Sequence, residues 1–278
     1  MASGSGSGTL RSVSKTAAIA AGLIGGALVV VLTMAPASLL ASAIRSNTQG
    51  RVDLGEPSGT IWDGEANIIL AEKNIDDDRG GPKSTPFRTS LPGRTSWQIN
   101  PWRLLVGTLQ LHLANSAILR APLDLRIERG PNATIDAGHL TVPAGLLIGL
   151  GAPWNTIRPG GDLVLDWDTL HLESGALHGG IRVEWVGASS GLSPIVPFGH
   201  YRLQTDGYFD GAHIQLETIA GPMEMVGNGT IAGGSRLHFR GTAGVQPGTD
   251  PAVATQLSGL ITLLGRREGD EAILSFGT

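Results

Sequence analysis

Three carboxylates, Asp162, Asp166 and Asp168, alternate with the apolar Leu163, Leu165 and Trp167. Side chains two apart on an extended chain share a face about 7 Å apart, a separation compatible with the paired carboxyl groups of glycoside hydrolysis. The solvent face of any amphipathic strand displays the same pattern, and that is the better account. His171 and His178 flank Gly175 and can pair across a hairpin. The seven histidines, at 112, 139, 171, 178, 200, 213 and 238, contain no pair at helical ligand spacing, so polar-face residues explain them better than zinc. Asn74, Asp76 and Asp78 have the alternate spacing of a calcium loop, yet Arg79 stands where that loop needs glycine and Thr85 where it needs glutamate. A solvated loop is the simpler reading. Residues 227–232 (GNGTIA) match a relaxed dinucleotide fingerprint, but strand lies on both sides and no helix begins there to receive a pyrophosphate, so a hairpin turn or bulge is expected. No Gly-x-Ser-x-Gly elbow stands beside a plausible helix. No catalytic residue, cofactor site or metal site is assigned, and the chain is read as a non-enzyme.

The elements that carry these residues are strands. Among 278 residues there are 41 glycines, 16 prolines and only 16% charged residues, which suits short strands and tight turns better than helices. The alternation is plainest in residues 104–113, where Leu105, Gly107, Leu109, Leu111 and Leu113 share a face, and in 122–128, where Leu123, Leu125 and Ile127 do. Residues 58–71 read as one strand and 72–94 as an exposed loop. Further strands are expected near 162–168, 181–186, 200–205, 213–218, 222–231, 236–242 and 271–276. Residues 142–150 lack alternation and fit a buried strand or a short helix from Pro143, the helix being preferred. Near the end, Asp250 can cap and Pro251 can open a helix in which Leu257, Leu260, Ile261 and Leu264 recur, with Gly265 as the stop. The tryptophans Trp62, Trp97, Trp167 and Trp185 are expected in the core, while Trp102 and Trp154 divide evenly between core and contact roles.

Upstream, residues 16–44 form a run of 29 without a charge, flanked by Arg11 and Lys15 before and Arg45 after. A bilayer core of about 30 Å needs about 20 helical residues, so a transmembrane helix is expected over 16–40. The basic residues before it place 1–15 in the cytoplasm. A cleavable signal ending at Ala41-Ser42-Ala43 competes, but the uncharged run is too long for one. The remaining boundaries are a linker at 41–57 and a periplasmic β-rich domain at 58–278, with two subdomains meeting near 150–160 as an option. The net charge of −4 argues against nucleic acid, and zero cysteines exclude disulfides and thiolate chemistry.

In order, the span, then SGTIWDGEA at 58–66, then SWQINPWRLLVGTLQLHL at 96–113, resemble the type II secretion system protein N family, also called the general secretion pathway N protein. The carrying residues are Gly59, Thr60, Trp62 and Gly64, then Trp97, Leu104, Leu105 and Gly107. The likeness continues through Gly161, Gly180, Trp185, Gly199 and Tyr201 to Gly265, residues read as structural. The resemblance implies an inner-membrane, single-pass component of the machine that moves folded proteins out of the periplasm. Its partners would be other inner-membrane subunits or the periplasmic domains of the outer-membrane secretin. No catalytic residues, cofactors or partner contacts come with it.

The expected fold is therefore all-β: an antiparallel curved sheet, or a partly open β-barrel or sandwich, with one or two short helices after the transmembrane helix. Exposed strand edges would bind a partner by strand addition. Carriage of a lipid or other hydrophobic ligand on an open apolar face is the alternative.

Overall fold

The computed structural model describes residues 34–72, 87–130, 132–173, 176–206, 212–232 and 236–277. Helix α1 (Ala37–Asn47) leads into β1 (Val52–Gly59), β2 (Asp63–Ala71), β3 (Arg88–Ser90) and β4 (Thr95–Ile99). A single helical turn, α2 (Pro101–Leu105), precedes β5 (Leu109–Ala114), β6 (Leu123–Ile127) and β7 (Ala133–Ile135). Next come β8 (Gly138–Pro143), a 3-10 helix (Ala144–Leu150), α3 (Trp154–Ile157), β9 (Pro159–Trp167), β10 (Leu170–Glu173) and β11 (Ala176–His178). A meander follows: β12 (Ile181–Ser190), β13 (Gly199–Asp206), β14 (Ala212–Ala220), β15 (Met223–Ala232) and β16 (Arg236–Val245). Helix α4 (Pro251–Leu264), β17 (Arg266–Glu268) and β18 (Glu271–Phe276) complete the fold.

These strands form two open antiparallel sheets, so the fold is mostly β with few short helices and is not a closed barrel. Sheet A has the order β1-β2-β4-β5-β6-β7-β10-β11, with β3 also on β2; sheet B has the order β17-β18-β16-β15-β14-β13-β12-β9-β8. The chain crosses between them three times, since β8 and β9 belong to sheet B while β10 and β11 return to sheet A. The 3-10 helix ties the sheets together, its Leu146 carbonyl accepting from the Thr89 hydroxyl of β3 at 3.0 Å.

The cores are one-sided. In sheet B, Leu257, Leu260 and Ile261 of α4 are buried against Phe198, Tyr201, Ile214, Met223, Phe239 and Leu274. Asp250 caps this helix by accepting from the Ala252 N–H at 2.7 Å, and Pro251 supplies a first-turn residue with no N–H to satisfy. In sheet A, Ala37 and Ala41 of α1 pack on Leu54, Ala66 and Trp97.

Several expectations are corrected. Residues 58–71 are not one strand but a hairpin, turned at 60–62, where the Thr60 hydroxyl accepts from the N–H groups of Trp62 and Asp63 at 3.2 and 3.0 Å. The strand expected from 104 begins only at Leu109, because the Asn100 side chain accepts from the Trp102 N–H at 3.1 Å and Pro101 opens α2. Residues 227–232 are neither turn nor bulge; they lie within β15, with Gly227 and Gly229 leaving room for the Phe239 ring on β16. Residues 266–268, given no strand in the sequence reading, form β17, paired with β18. Residues 41–57, expected as a linker, carry most of α1 and β1, and residues 144–150 are helical as expected.

Candidate interaction surface

Where the chain enters sheet A, side chains and backbone converge on the 60–62 turn. The Ile61 N–H donates to the Ala35 carbonyl at 2.9 Å, and Pro36 bridges Thr60. Gly59 has a φ of 84°, a region open to glycine at no steric cost. Beneath the turn Trp97 is 5% exposed and its indole N–H donates to the Ile61 carbonyl at 3.2 Å. Gly64 lies against that ring, where a side chain would meet it. Trp62 is partly buried. At the other end of α1, Arg45 grips the buried Asp53 with bonds of 2.6 and 2.7 Å from Nη2 and 3.0 Å from Nε. The carboxylate pushes the Arg45 guanidinium above its ordinary basicity. Sequence reading missed this pair, whose only signal was the charge contrast after a long uncharged run.

Leu104 and Leu105 lie in no strand. They sit on α2 with Trp102, which is 71% exposed, and Leu105 is 74% exposed. Gly107 follows, with the Arg129 side chain packed over it.

In sheet B the expected residues gather around one aromatic group. Trp185 meets Phe198 edge-on at 5.6 Å between centroids and Tyr201 at 6.0 Å, and its indole N–H donates to the Gly160 carbonyl at 2.8 Å. Gly161 beside it takes a φ of 89° under the carbonyls of Val186 and Gly187. Tyr201 is buried and donates to the Met223 carbonyl at 2.9 Å; burial pushes its phenol well above the usual range, so the group stays neutral. Gly199 makes room for the Tyr201 ring, Gly180 for Asp168 and Gly265 for the Ile273 carbonyl. Every residue of the resemblance outside α2 thus lies at a turn or a packing contact.

The outer face of sheet B is a lattice of cross-strand pairs. Arg202 donates to Glu184 at 2.8 Å and to Glu217 at 3.0 Å, and His200 stands 3.3 Å from Glu184. Hydrogen bonding to Arg202 holds the Glu184 carboxyl below its usual range, against an opposing effect of burial. Asp166 meets His139 at 2.6 Å across β8 and β9, beside a cleft of about 540 Å³ that Asp168 and Arg182 also line. Asp162 is exposed further along β9. His171 faces His178 across the β10–β11 hairpin, and from β7 on the other side Thr134 reaches His171 at 3.4 Å. Among the described residues no three potential ligands gather to hold a metal. Asn74, Asp76 and Asp78 lie outside the described residues.

Strand edges are poorly suited to adding a partner strand. β11 and β17 are three residues long, and β17 reads Arg-Arg-Glu. β8 is partly covered, with the Thr141 N–H donating to the Ile118 carbonyl at 2.8 Å. β1 carries Pro57 and a break in register between Gly55 and Ser58. Short, charged, covered or irregular edges resist pairing.

The family model described as Type II secretion system (T2SS), protein N matches residues 50–273. No curated protein and no solved structure matches the chain.

Proposed function

Because the chain belongs to the type II secretion system protein N family, we propose that it is an inner-membrane-anchored periplasmic component of the secretion machinery, a non-catalytic module that contacts other inner-membrane subunits or the secretin. The family match over 50–273 is the observation that carries this reading. It supports a place in the cell envelope; the anchor rests on the uncharged run that begins at Thr16. Among the described residues no helix is long and apolar enough to cross a membrane. Ala35 and Ala37 are buried in the β-domain, so the crossing would end near Met34 rather than at residue 40. From Thr16 to Met34 a helix at 1.5 Å per residue measures about 28 Å, close to the roughly 30 Å of a hydrocarbon core.

The test is cross-linking in intact cells, with benzoyl-phenylalanine placed at exposed outer-face positions such as Gln215. The expected result is a product with the secretin or an inner-membrane secretion subunit, together with impaired export on deletion of the chain. Unimpaired export and no such product from any outer-face position would overturn the reading.

A second reading, carriage of a hydrophobic ligand, is favoured by one feature. Leu109, Leu123 and Leu125 of sheet A are only half-buried and Ile127 is exposed. Lipid recovered stoichiometrically from the purified protein by mass spectrometry would support it.

A further inference from the structure

Helix α2 and the residue after it hold four apolar side chains in solvent: Trp102, Leu104, Leu105 and Val106, exposed by 71, 41, 74 and 67%. Isolated exposed apolar residues need no explanation, but a contiguous group of this kind marks a contact. The group is held in place. Asn100 caps its start, and after it the Gly107 N–H donates to the Leu104 carbonyl at 2.9 Å.

Its position says what it meets. β2 and β4 pair Asp63 with Gln98, and the Ile99 N–H donates to the Trp62 carbonyl, so α2 hangs from the same end of sheet A as the 60–62 turn. That turn is where the chain enters the fold, through Ala35 and Pro36. Neighbouring strands lie about 4.8 Å apart, which puts α2 within about 15 Å of the entry point. Everything from Met34 back to Thr16 is uncharged. A chain that leaves the bilayer at Met34 therefore brings this end of sheet A down onto the headgroups.

We infer that α2 is a foot that inserts into the periplasmic leaflet of the membrane the chain is anchored in. Trp102 then sits at headgroup depth, where indole rings collect. Leu105 and Val106 enter the acyl boundary, and Arg103, the only charge on α2, reaches a lipid phosphate. The foot fixes how the β-domain stands on the membrane, strands upright, which a flexible tether would leave free. The inference rests on the anchored reading above.

The absence of native cysteine makes a single-site reporter possible. The full chain bearing Leu105→Cys, labelled with a polarity-sensitive NBD probe, is reconstituted in phosphatidylethanolamine–phosphatidylglycerol vesicles and floated on a density gradient. Thr255→Cys, exposed on α4, is the comparison site, and Val106→Cys is a second reporter should Leu105→Cys misfold. The expected result is flotation with the label at 105 quenched by a shallow spin-labelled lipid and several-fold less sensitive to aqueous iodide than the label at 255. Flotation with equal iodide sensitivity at both sites overturns the foot and leaves the anchor standing. Shielding from iodide without lipid quenching also overturns it, since protein then covers the patch. A chain that does not float overturns the anchor, and the foot with it.

Discussion

Glu184 sits on the outer face of sheet B with Arg202 donating to it at 2.8 Å and the His200 ring 3.3 Å away. A carboxyl whose folded-state value is lowered in this way adds stability above the ordinary carboxylate range and loses it as pH falls through that range. Both partners are partly solvated, so Glu184→Gln should cost no more than about 1 kcal/mol near neutral pH. Urea midpoints for the variant and the parent should differ at neutral pH and converge only once the pH has fallen below the lowered value of Glu184 itself. None of this was readable from the chain: a strand was expected near 181–186, but the register that sets Glu184 against Arg202 comes from pairing with β13. Similarly, Asp166 meets His139 because β8 pairs with β9. That satisfied pair is the ordinary fate of polar residues on a solvent face.

At the scale of elements, local chemistry was legible where a cap or a period announced it. Helix α4 begins at Pro251 behind Asp250 and buries Leu257, Leu260 and Ile261, as the three- and four-residue spacing requires. Leu260 is almost completely enclosed, so Leu260→Ala should destabilise the protein by about 3 kcal/mol through lost burial and the cavity left behind. A downward shift in the urea midpoint measures it. α2 was missed for an instructive reason. Leu105, Gly107 and Leu109 alternate as a strand would, yet Asn100 and Pro101 impose a helical start three positions earlier, and the backbone hydrogen bonds satisfied there outweigh a pattern with nothing to pack against. The 60–62 turn was hidden in the same way, by a threonine hydroxyl acting as a local acceptor.

At the scale of the whole molecule the two sheets are interleaved, because the chain leaves sheet A after β7, returns at β10 and leaves again at β12. The 3-10 helix then bonds back onto β3 across the junction. The chain path and this bond link the two sheets. Urea unfolding followed through Trp97 of sheet A and through Trp185 of sheet B, in variants keeping one reporter each, should give coincident midpoints. Separate transitions would mean that the sheets fold independently. The arrangement also places chain entry, the 60–62 turn and α2 at one end of sheet A.

By itself the sequence determined the antiparallel β character, the uncharged N-terminal run, the helix behind Asp250 and the likeness to a secretion family, because periodicity, capping and composition act over neighbouring residues. The tertiary structure alone decided that there are two open sheets, that α1 is docked by Arg45 and Asp53, and that α2 points its apolar side chains into solvent. Those outcomes depend on which strands pair and in what register, and pairing joins residues too far apart along the chain for local patterning to specify.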